Sequence, residues 1–108
     1  MDKRWKAVER KIAAFFNTRR TPLSGGNSGG TRSDTLSRSL FVEAKYRKKH
    51  SVVTLWDGTK KLADKEKKIP VVCLSEHGRP GFWVVCHSTD LVAVAHESLQ
   101  LSREEGKK

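Results

Sequence analysis

The spacing of apolar residues near the N-terminus predicts a helix over residues 2–16. Its large apolar side chains fall within an arc of about 100° when each residue turns the helix by 100°, as on an amphipathic helix that packs against a core. They are Trp5, Val8, Ile12, Phe15 and Phe16. Glu9 lies at the edge of this arc. A glutamate in that position is either solvated or ion-paired, or it belongs to a functional site.

A strand pattern occupies the middle of the chain. Residues 40–46, LFVEAKY, alternate between two faces, so that Glu43 and Lys45 project on the same side. Residues 34–37 form the preceding strand. Together the two strands predict a hairpin that turns at the serine-rich sequence between them.

The second half of the chain predicts a helix, another hairpin and a short final element. The helix covers about residues 53–67, although Gly58 weakens it. Residues 69–75 and 82–87 are apolar and rich in β-branched side chains, and the turn-forming EHGRPG joins them into a hairpin. A short strand or helix begins near residue 89. This order of elements predicts an α/β fold, in which a mixed sheet is flanked by helices.

Two segments interrupt these elements. Residues 24–33 are rich in glycine and serine and predict a mobile loop, and the polar residues 102–108 predict a disordered tail. The loop is either a plain surface connection or a segment that wraps a nucleic-acid backbone. Because 108 residues leave no room for a second core, we expect one domain over residues 1–108.

The charge indicates an acidic polymer as the partner. The net charge is +10, and it is uneven: residues 1–44 carry +5, residues 45–68 carry +6 and residues 69–108 carry −1. Such a concentration of positive charge is typical of a surface that meets phosphates, although a basic surface can also serve solubility alone. The candidate nucleic-acid-binding residues are Arg19, Arg20, Ser24, Arg32, Arg47, Lys48, Lys49, Lys60 and Lys61.

Membrane association is not predicted. No apolar run approaches the roughly 18–20 residues of a membrane span, and the charged N-terminus lacks the apolar segment of a signal peptide. The expected compartment is therefore the cytoplasm. Cys73 and Cys86 each lie in an apolar run, which favours reduced, buried thiols.

Three residues carry the candidate chemistry. Glu43 and Lys45 share a strand face, and Asp34 lies on the neighbouring strand of the predicted hairpin. Two carboxylates that converge repel each other unless a cation lies between them. Carboxylate oxygens together with the Ala44 carbonyl suit Mg²⁺ or Mn²⁺, which would activate a water for phosphodiester hydrolysis. The alternative is a set of ordinary cross-strand surface pairs between these acids and Lys45.

The order of these residues resembles the PD-(D/E)xK nuclease superfamily. An initial helix is followed by Asp34 and then by Glu43-Ala44-Lys45 within FVEAKYRKK, with a helix behind. Within that superfamily the chain is most similar to the small archaeal and viral Holliday junction resolvases. Those proteins have a glutamate in the first helix, which corresponds to Glu9, and a Ser/Gly-rich loop before the aspartate. The similarity covers roughly residues 5–87.

This resemblance implies a restriction-endonuclease-like fold and cleavage of four-way DNA junctions by a homodimer. Asp34, Glu43, Ala44 and Glu9 would hold the metal, and Lys45 would complete the catalytic set. The chain departs from the pattern in two ways. Ser33 stands where Pro or Gly is more common, and the connection between Asp34 and Glu43 is shorter than in the archaeal members.

Other functions are compatible with the same residues. A nuclease of this class could act on flaps, nicked duplex or unspecific DNA, and a catalytically silent module could keep the fold only to bind nucleic acid. A zinc site is a further alternative, but its spacing lacks a CxxC knuckle. Its ligands would be Cys73, His77, Cys86 and His87. The homodimer is also favoured by the apolar, near-neutral final third of the chain, because closed two-fold dimers are the commonest oligomers.

Overall fold

A computed structural model describes residues 3–22 and 32–98. The helices are α1 (Lys3–Phe15), α2 (Ser51–Lys65) and α3 (Leu91–His96), and the strands are β1 (Val72–Leu74) and β2 (Trp83–Val85). A 3-10 turn, Ser88–Asp90, leads into α3. The predicted α/β class is therefore confirmed in general terms. The prediction of a mixed sheet is wrong for the residues described, because their sheet consists of β1 and β2 alone and is antiparallel. No helix within these ranges is long and apolar enough to cross a membrane.

The chain divides into two compact units, residues 1–48 and 49–108. The first contains α1 and a group of extended segments, and the second contains α2, the hairpin and α3. That the whole chain forms one domain stays a prediction. The predicted loop at residues 24–33 falls outside the described residues except for Arg32 and Ser33, and the predicted tail falls entirely outside them.

Helix α1 has the predicted extent, but its most buried positions are not its aromatic residues. Glu9 and Ala13, one turn apart, are each 1% exposed, whereas Phe15 and Phe16 are 48% and 37% exposed. A small residue at Ala13 lets a neighbouring segment approach the helix closely, and this favours a buried line through Glu9 and Ala13. Glu9 is therefore inside the unit rather than at the border of the apolar face.

Both long helices end in the same hydrogen-bonded turn. After α1 the N–H groups of Thr18 and Asn17 donate to the carbonyls of Ala13 and Ala14, at 2.9 and 3.0 Å. This is a Schellman motif, which requires a left-handed residue in the penultimate position, and Asn17 has φ 55°. The turn after α2 is equivalent. Lys68 and Lys67 donate to Ala63 and Asp64, and Lys67 has φ 57°.

Three extended segments pack side by side after α1. The N–H of Thr21 donates to the Asp34 carbonyl and the N–H of Leu36 donates to the Arg19 carbonyl, both at 3.0 Å. These bonds flank an antiparallel bridge between Arg20 and Thr35. On the other side of the middle segment, residues 33–36, the Asp34 N–H donates to the Val42 carbonyl at 2.7 Å. The middle segment is thus held on both sides.

The predicted strand at residues 40–46 is wrong as a regular strand. The structure assigns no strand there, although the segment lies beside residues 33–36 as the predicted hairpin requires. The reason is that side-chain oxygens replace backbone carbonyls as acceptors. Ser33 Oγ accepts a hydrogen bond from the N–H of Val42, and Asp34 Oδ2 accepts one from the N–H of Ala44. A strand ladder needs carbonyl acceptors in both positions.

The second predicted hairpin is confirmed over a shorter length. β1 and β2 are antiparallel, with Val72 opposite Val85 and Cys73 opposite Val84. Val72 is buried, whereas Cys73 is exposed and Cys86 is half-buried, so the prediction of buried thiols is wrong; both cysteines are free. Successive side chains point to opposite sides of the sheet, and Cys73 lies on the side that its own unit covers less.

The helix predicted at residues 53–67 is confirmed as α2. It runs through Gly58, which lies in open space on the helix surface. The final element, left open as a strand or a helix, is the short helix α3. α2 packs against β1, yet the structure, which describes the whole of α2, shows no buried residue in it.

Candidate active site

Asp34 is the most firmly held of the candidate catalytic residues. Its side chain is largely buried, and Oδ2 accepts a hydrogen bond from the N–H of Ala44 at 2.6 Å. Its own N–H and carbonyl bond to Val42 and Thr21 on opposite sides. A short hydrogen bond from an N–H to a carboxylate is charge-assisted and stronger than one between neutral groups. The Asp34 carboxylate is therefore held at the backbone amide of Ala44, the residue between Glu43 and Lys45.

Ser33 fixes the same segment from the preceding position. Its hydroxyl accepts from the N–H of Val42 at 2.8 Å and from the N–H of Thr35 at 3.4 Å, and it donates to the Val42 carbonyl at 3.2 Å. One donor and two acceptor positions are what a hydroxyl offers. Ser33 is 3% exposed, so these bonds form away from solvent. Sequence reasoning treated this residue only as a departure from a family pattern.

Glu43 and Lys45 lie on either side of the Ala44 amide. Their side chains meet at 3.1 Å between Nζ and Oε1, and about half of each remains exposed. This confirms that the two side chains share one side of the segment. Because each side chain is about half exposed, both charged groups are accessible from solvent. An ion pair as exposed as this one contributes little to stability. The structure therefore joins Asp34 to the Glu43-Ala44-Lys45 segment through the backbone of Ala44.

The available oxygen atoms suit Mg²⁺ better than a metal that needs nitrogen or sulfur. Asp34 and Glu43 supply carboxylates, and the Ala44 carbonyl belongs to the same segment. Mg²⁺ binds proteins through one or two carboxylates and keeps several waters, so two acids are sufficient. Within residues 3–22 and 32–98 no group of three or more His, Cys, Asp or Glu residues could hold a metal. The four residues of the alternative zinc site therefore do not converge, and neither do Glu9, Asp34 and Glu43 as a set of three.

Glu9 is engaged by Arg20. Oε1 of Glu9 lies 2.6 Å from Nε of Arg20, and the side chains are 1% and 18% exposed. The guanidinium also lies 5.7 Å from the ring centroid of Trp5, within the range of a cation–π contact. Of the two alternatives for Glu9, the structure shows the ion pair. A role of Glu9 in metal binding stays a prediction.

Most of the candidate nucleic-acid-binding residues are exposed. Those with exposed side chains are Arg19, Arg32, Arg47, Lys48, Lys49, Lys60 and Lys61. Lys60 lies 3.1 Å from Asp64 one turn further along α2, in an exposed pair that water and salt screen easily. Arg20 is largely buried with Glu9 and is the least accessible of the members that the structure describes. Ser24 lies outside the described residues.

Comparison with known proteins adds no relative. No protein-family model matches the chain, and searches of curated proteins and of solved structures gave no match.

Proposed function

We propose that this chain is a metal-dependent DNA endonuclease of restriction-endonuclease-like fold. One observation carries the proposal: the buried Asp34 carboxylate is bonded to the backbone N–H of Ala44, between Glu43 and Lys45. This contact brings together the three residues that the sequence pattern singles out, although no regular hairpin holds them. A plain surface pair between Glu43 and Lys45 would not require a buried aspartate at the amide between them.

The proposed mechanism assigns a task to each group. Asp34 and Glu43 would hold a divalent cation with the Ala44 carbonyl, and Glu9 would join them only by leaving Arg20 and moving toward the other two acids. Mg²⁺, or Mn²⁺, when bound would lower the pKa of a water and neutralise charge on the scissile phosphate. Lys45 is exposed beside Glu43 and orients the attacking water or a phosphate oxygen. The fixed Asp34 requires little rearrangement at the moment of reaction, which is the main source of electrostatic catalysis.

The basic side chains support DNA as the substrate. Arg47, Lys48 and Lys49 directly follow residues 40–46 and are exposed, so they can contact the phosphates that flank the cleaved bond. Phosphate contacts of this kind supply most of the affinity for DNA without specifying its sequence. Four-way junctions are the proposed substrate, and flaps, nicked duplex or unspecific DNA are the alternatives. We place the protein in the cytoplasm.

We propose a homodimer as the working form, because a junction has two strands to cut and each copy has one site. A groove of about 880 Å³ in the second unit is the proposed contact surface. Its apolar lining consists of Ile69, Val71, Cys73, Phe82, Val84, Ala93 and Val94. Lys67 and Glu97 also line it, so a two-fold axis can set Lys67 against Glu97 of the partner subunit. A second copy would cover the apolar lining of this groove, although Lys68 also lines it and adds a positive charge.

One experiment separates the candidate functions. A four-way junction, a flap, a nicked duplex and a linear duplex are incubated with the protein, with Mg²⁺ and with EDTA. Cleavage of the junction that requires Mg²⁺ and exceeds cleavage of the other substrates is the expected result. Binding to all four substrates without cleavage would instead identify a silent nucleic-acid-binding module.

A further inference from the structure

We propose that Ser33 is a positioning residue that sets the alignment of Glu43-Ala44-Lys45 against Asp34. The inference rests on the proposed function, since it names a residue that prepares the same site. Ser33 itself offers no charge to a metal. Its role is to hold the backbone to which the site belongs.

The hydrogen bonds of Ser33 and Asp34 form one continuous set. Ser33 Oγ binds the N–H and the carbonyl of Val42, and the Asp34 N–H donates to that same carbonyl. Two residues further along, the Ala44 N–H donates to Asp34 Oδ2. In an extended segment the N–H groups of Val42 and Ala44 point to the same side. Fixing Val42 along residues 33–36 therefore also fixes the position at which the Ala44 N–H meets the Asp34 carboxylate. Glu43 and Lys45 follow from that placement.

The alignment depends on these side chains more than it would in a regular hairpin. In an ordinary hairpin, backbone bonds in successive positions oppose a shift of one strand along the other. Between residues 33–36 and 40–46 the backbone bond from Asp34 to Val42 is accompanied by side-chain bonds, from the Val42 N–H to Ser33 Oγ and from the Ala44 N–H to Asp34 Oδ2. If residues 40–46 shifted by one residue along residues 33–36, the side chains that now lie on one face of the segment would lie on the other. The Ser33 hydroxyl opposes this shift, because it binds both polar groups of Val42.

The segment needs such a device because little else anchors it. Phe41 is 69% exposed, and Leu40, Glu43, Lys45 and Tyr46 are also exposed. Buried apolar contacts therefore do little to define its position. By contrast, Ser33, Asp34 and Thr35 are all buried, so the middle segment is the fixed partner.

The substitution Ser33→Ala tests the proposal, with Ser37→Ala as the matched control. Ser37 lies in the same connection, and its hydroxyl also accepts a hydrogen bond from a backbone N–H, but the donor is Leu40, at 3.3 Å, rather than a residue of 42–45. Two quantities are measured for each protein: amide hydrogen exchange at Val42 and Ala44, and the Mg²⁺ concentration that gives half-maximal cleavage. Substitution of a residue that orients metal ligands typically weakens metal binding or activity by about 10- to 100-fold.

We expect Ser33→Ala to accelerate exchange at both amides and to raise the half-maximal Mg²⁺ concentration about tenfold or more. Ser37→Ala should change neither, and Ser33→Thr, which keeps the hydroxyl, should restore most of both. If the alanine variant does not fold, Ser33→Cys replaces it, because a thiol fills the space but bonds weakly. Unchanged exchange at Val42 and Ala44 in a folded Ser33→Ala or Ser33→Cys variant overturns the proposal, as does unchanged Mg²⁺ dependence.

The exchange measurement also separates this proposal from the proposed function. A wild-type protein that neither binds Mg²⁺ nor cleaves DNA removes the endonuclease, and the positioning role for a metal site falls with it. In that case faster exchange in Ser33→Ala would still show that the hydroxyl aligns the segment. The opposite result is Mg²⁺-dependent cleavage by the wild type together with unchanged exchange and unchanged Mg²⁺ dependence in Ser33→Ala. That result would support the endonuclease and reject the role of Ser33.

Discussion

Glu9 and Arg20 form an ion pair in which the carboxylate is almost completely buried, with 2.6 Å between Oε1 and Nε. The pair connects α1 to the first of the three extended segments. Because Arg20 lies opposite Thr35 in an antiparallel bridge, it also ties the helix to the neighbour of Asp34. This ion pair links the position of the helix to the backbone that carries the candidate site.

Glu9→Gln should destabilise the protein strongly. The amide keeps the size of the side chain but leaves the Arg20 cation without its charge partner in a largely buried position, which costs about 3 kcal/mol. Urea unfolding measures the change in the free energy of unfolding. The double variant Glu9→Met with Arg20→Met removes both charges and should recover most of the loss, since apolar replacements of a complete buried pair are often neutral. A Glu9→Gln variant of normal stability that lost only its response to Mg²⁺ would instead favour Glu9 as a metal ligand.

Asp34→Asn and Glu43→Gln should each reduce cleavage by about two orders of magnitude or more, because each removes a charge that would hold the metal. Their effects on stability should differ. Asp34 is buried and accepts the Ala44 N–H, whereas Glu43 is half exposed, so only Asp34→Asn should lower the melting temperature. Single-turnover cleavage and thermal unfolding are measured on the same preparations. The control is Glu76→Gln, an exposed acid in the turn between β1 and β2, which should change neither quantity. Wild-type rates in both site variants would exclude this site.

Lys48→Ala combined with Lys49→Ala should weaken DNA binding in a salt-dependent way. Each phosphate neutralised contributes about −0.9 to the slope of log affinity against log salt concentration. The double variant should therefore flatten this slope by about one to two units if both lysines contact phosphates. Lys6→Ala with Lys11→Ala removes the same charge from two exposed positions of α1, outside both the predicted binding set and the proposed dimer contact, and serves as the control. Equal slopes for the two double variants would show that only net charge matters.

Lys67→Gly should stabilise the protein. Lys67 adopts φ 57° at the end of α2, a conformation that costs a residue with a side chain about 1–2 kcal/mol and glycine almost nothing. Part of this gain is offset by the greater freedom of glycine in the unfolded chain, so we expect a net gain of about 0.5–1 kcal/mol. Lys65→Gly, two residues earlier and inside the helix, is the matched control and should destabilise by a similar amount. Differential scanning calorimetry compares the two melting temperatures.

Val84→Glu should dissociate the proposed dimer. Val84 is exposed in the apolar groove, and two charges brought together there by a two-fold axis would repel each other in a desolvated contact. Val92→Glu introduces the same charge on α3 at a position that does not line the groove. Analytical ultracentrifugation should give a monomer for Val84→Glu and a dimer for wild type and Val92→Glu. A monomeric wild type, alone and with a four-way junction, would reject the dimer and leave the cleavage chemistry untouched.

The elements with strong local patterns were predicted well. α1 and α2 have clear apolar spacing, and the apolar runs on either side of EHGRPG predicted the β1–β2 hairpin. Burial was predicted less well, because it depends on what approaches each face. Glu9 was placed at the border of the α1 apolar arc, yet Arg20 makes its burial possible. Cys73 lies in an apolar run, yet it faces the more open side of a two-stranded sheet.

For the candidate site, too, the local pattern was predicted correctly and the long-range contacts were not. Alternation along the chain placed Glu43 and Lys45 on one side, and their ion pair agrees. The same alternation predicted a regular strand, which does not form because Ser33 and Asp34 offer side-chain acceptors in place of carbonyls. Serine and aspartate often bond to nearby backbone groups and compete with regular structure, so the Ser33-Asp34 pair was the available signal. The partner amides, nine and ten residues away, could not be identified from the sequence alone.

The end of α1 has a consequence for how the first unit assembles. Asparagine is the usual alternative to glycine in this left-handed position, but it adopts the conformation at a greater cost than glycine does. Thr21, four residues later, is buried and bonded to Asp34, and these contacts help to offset that cost. Helix termination and the pairing of the extended segments are therefore a single cooperative event. Loosening that pairing should let α1 lengthen, so that helical content would rise while the candidate site is lost.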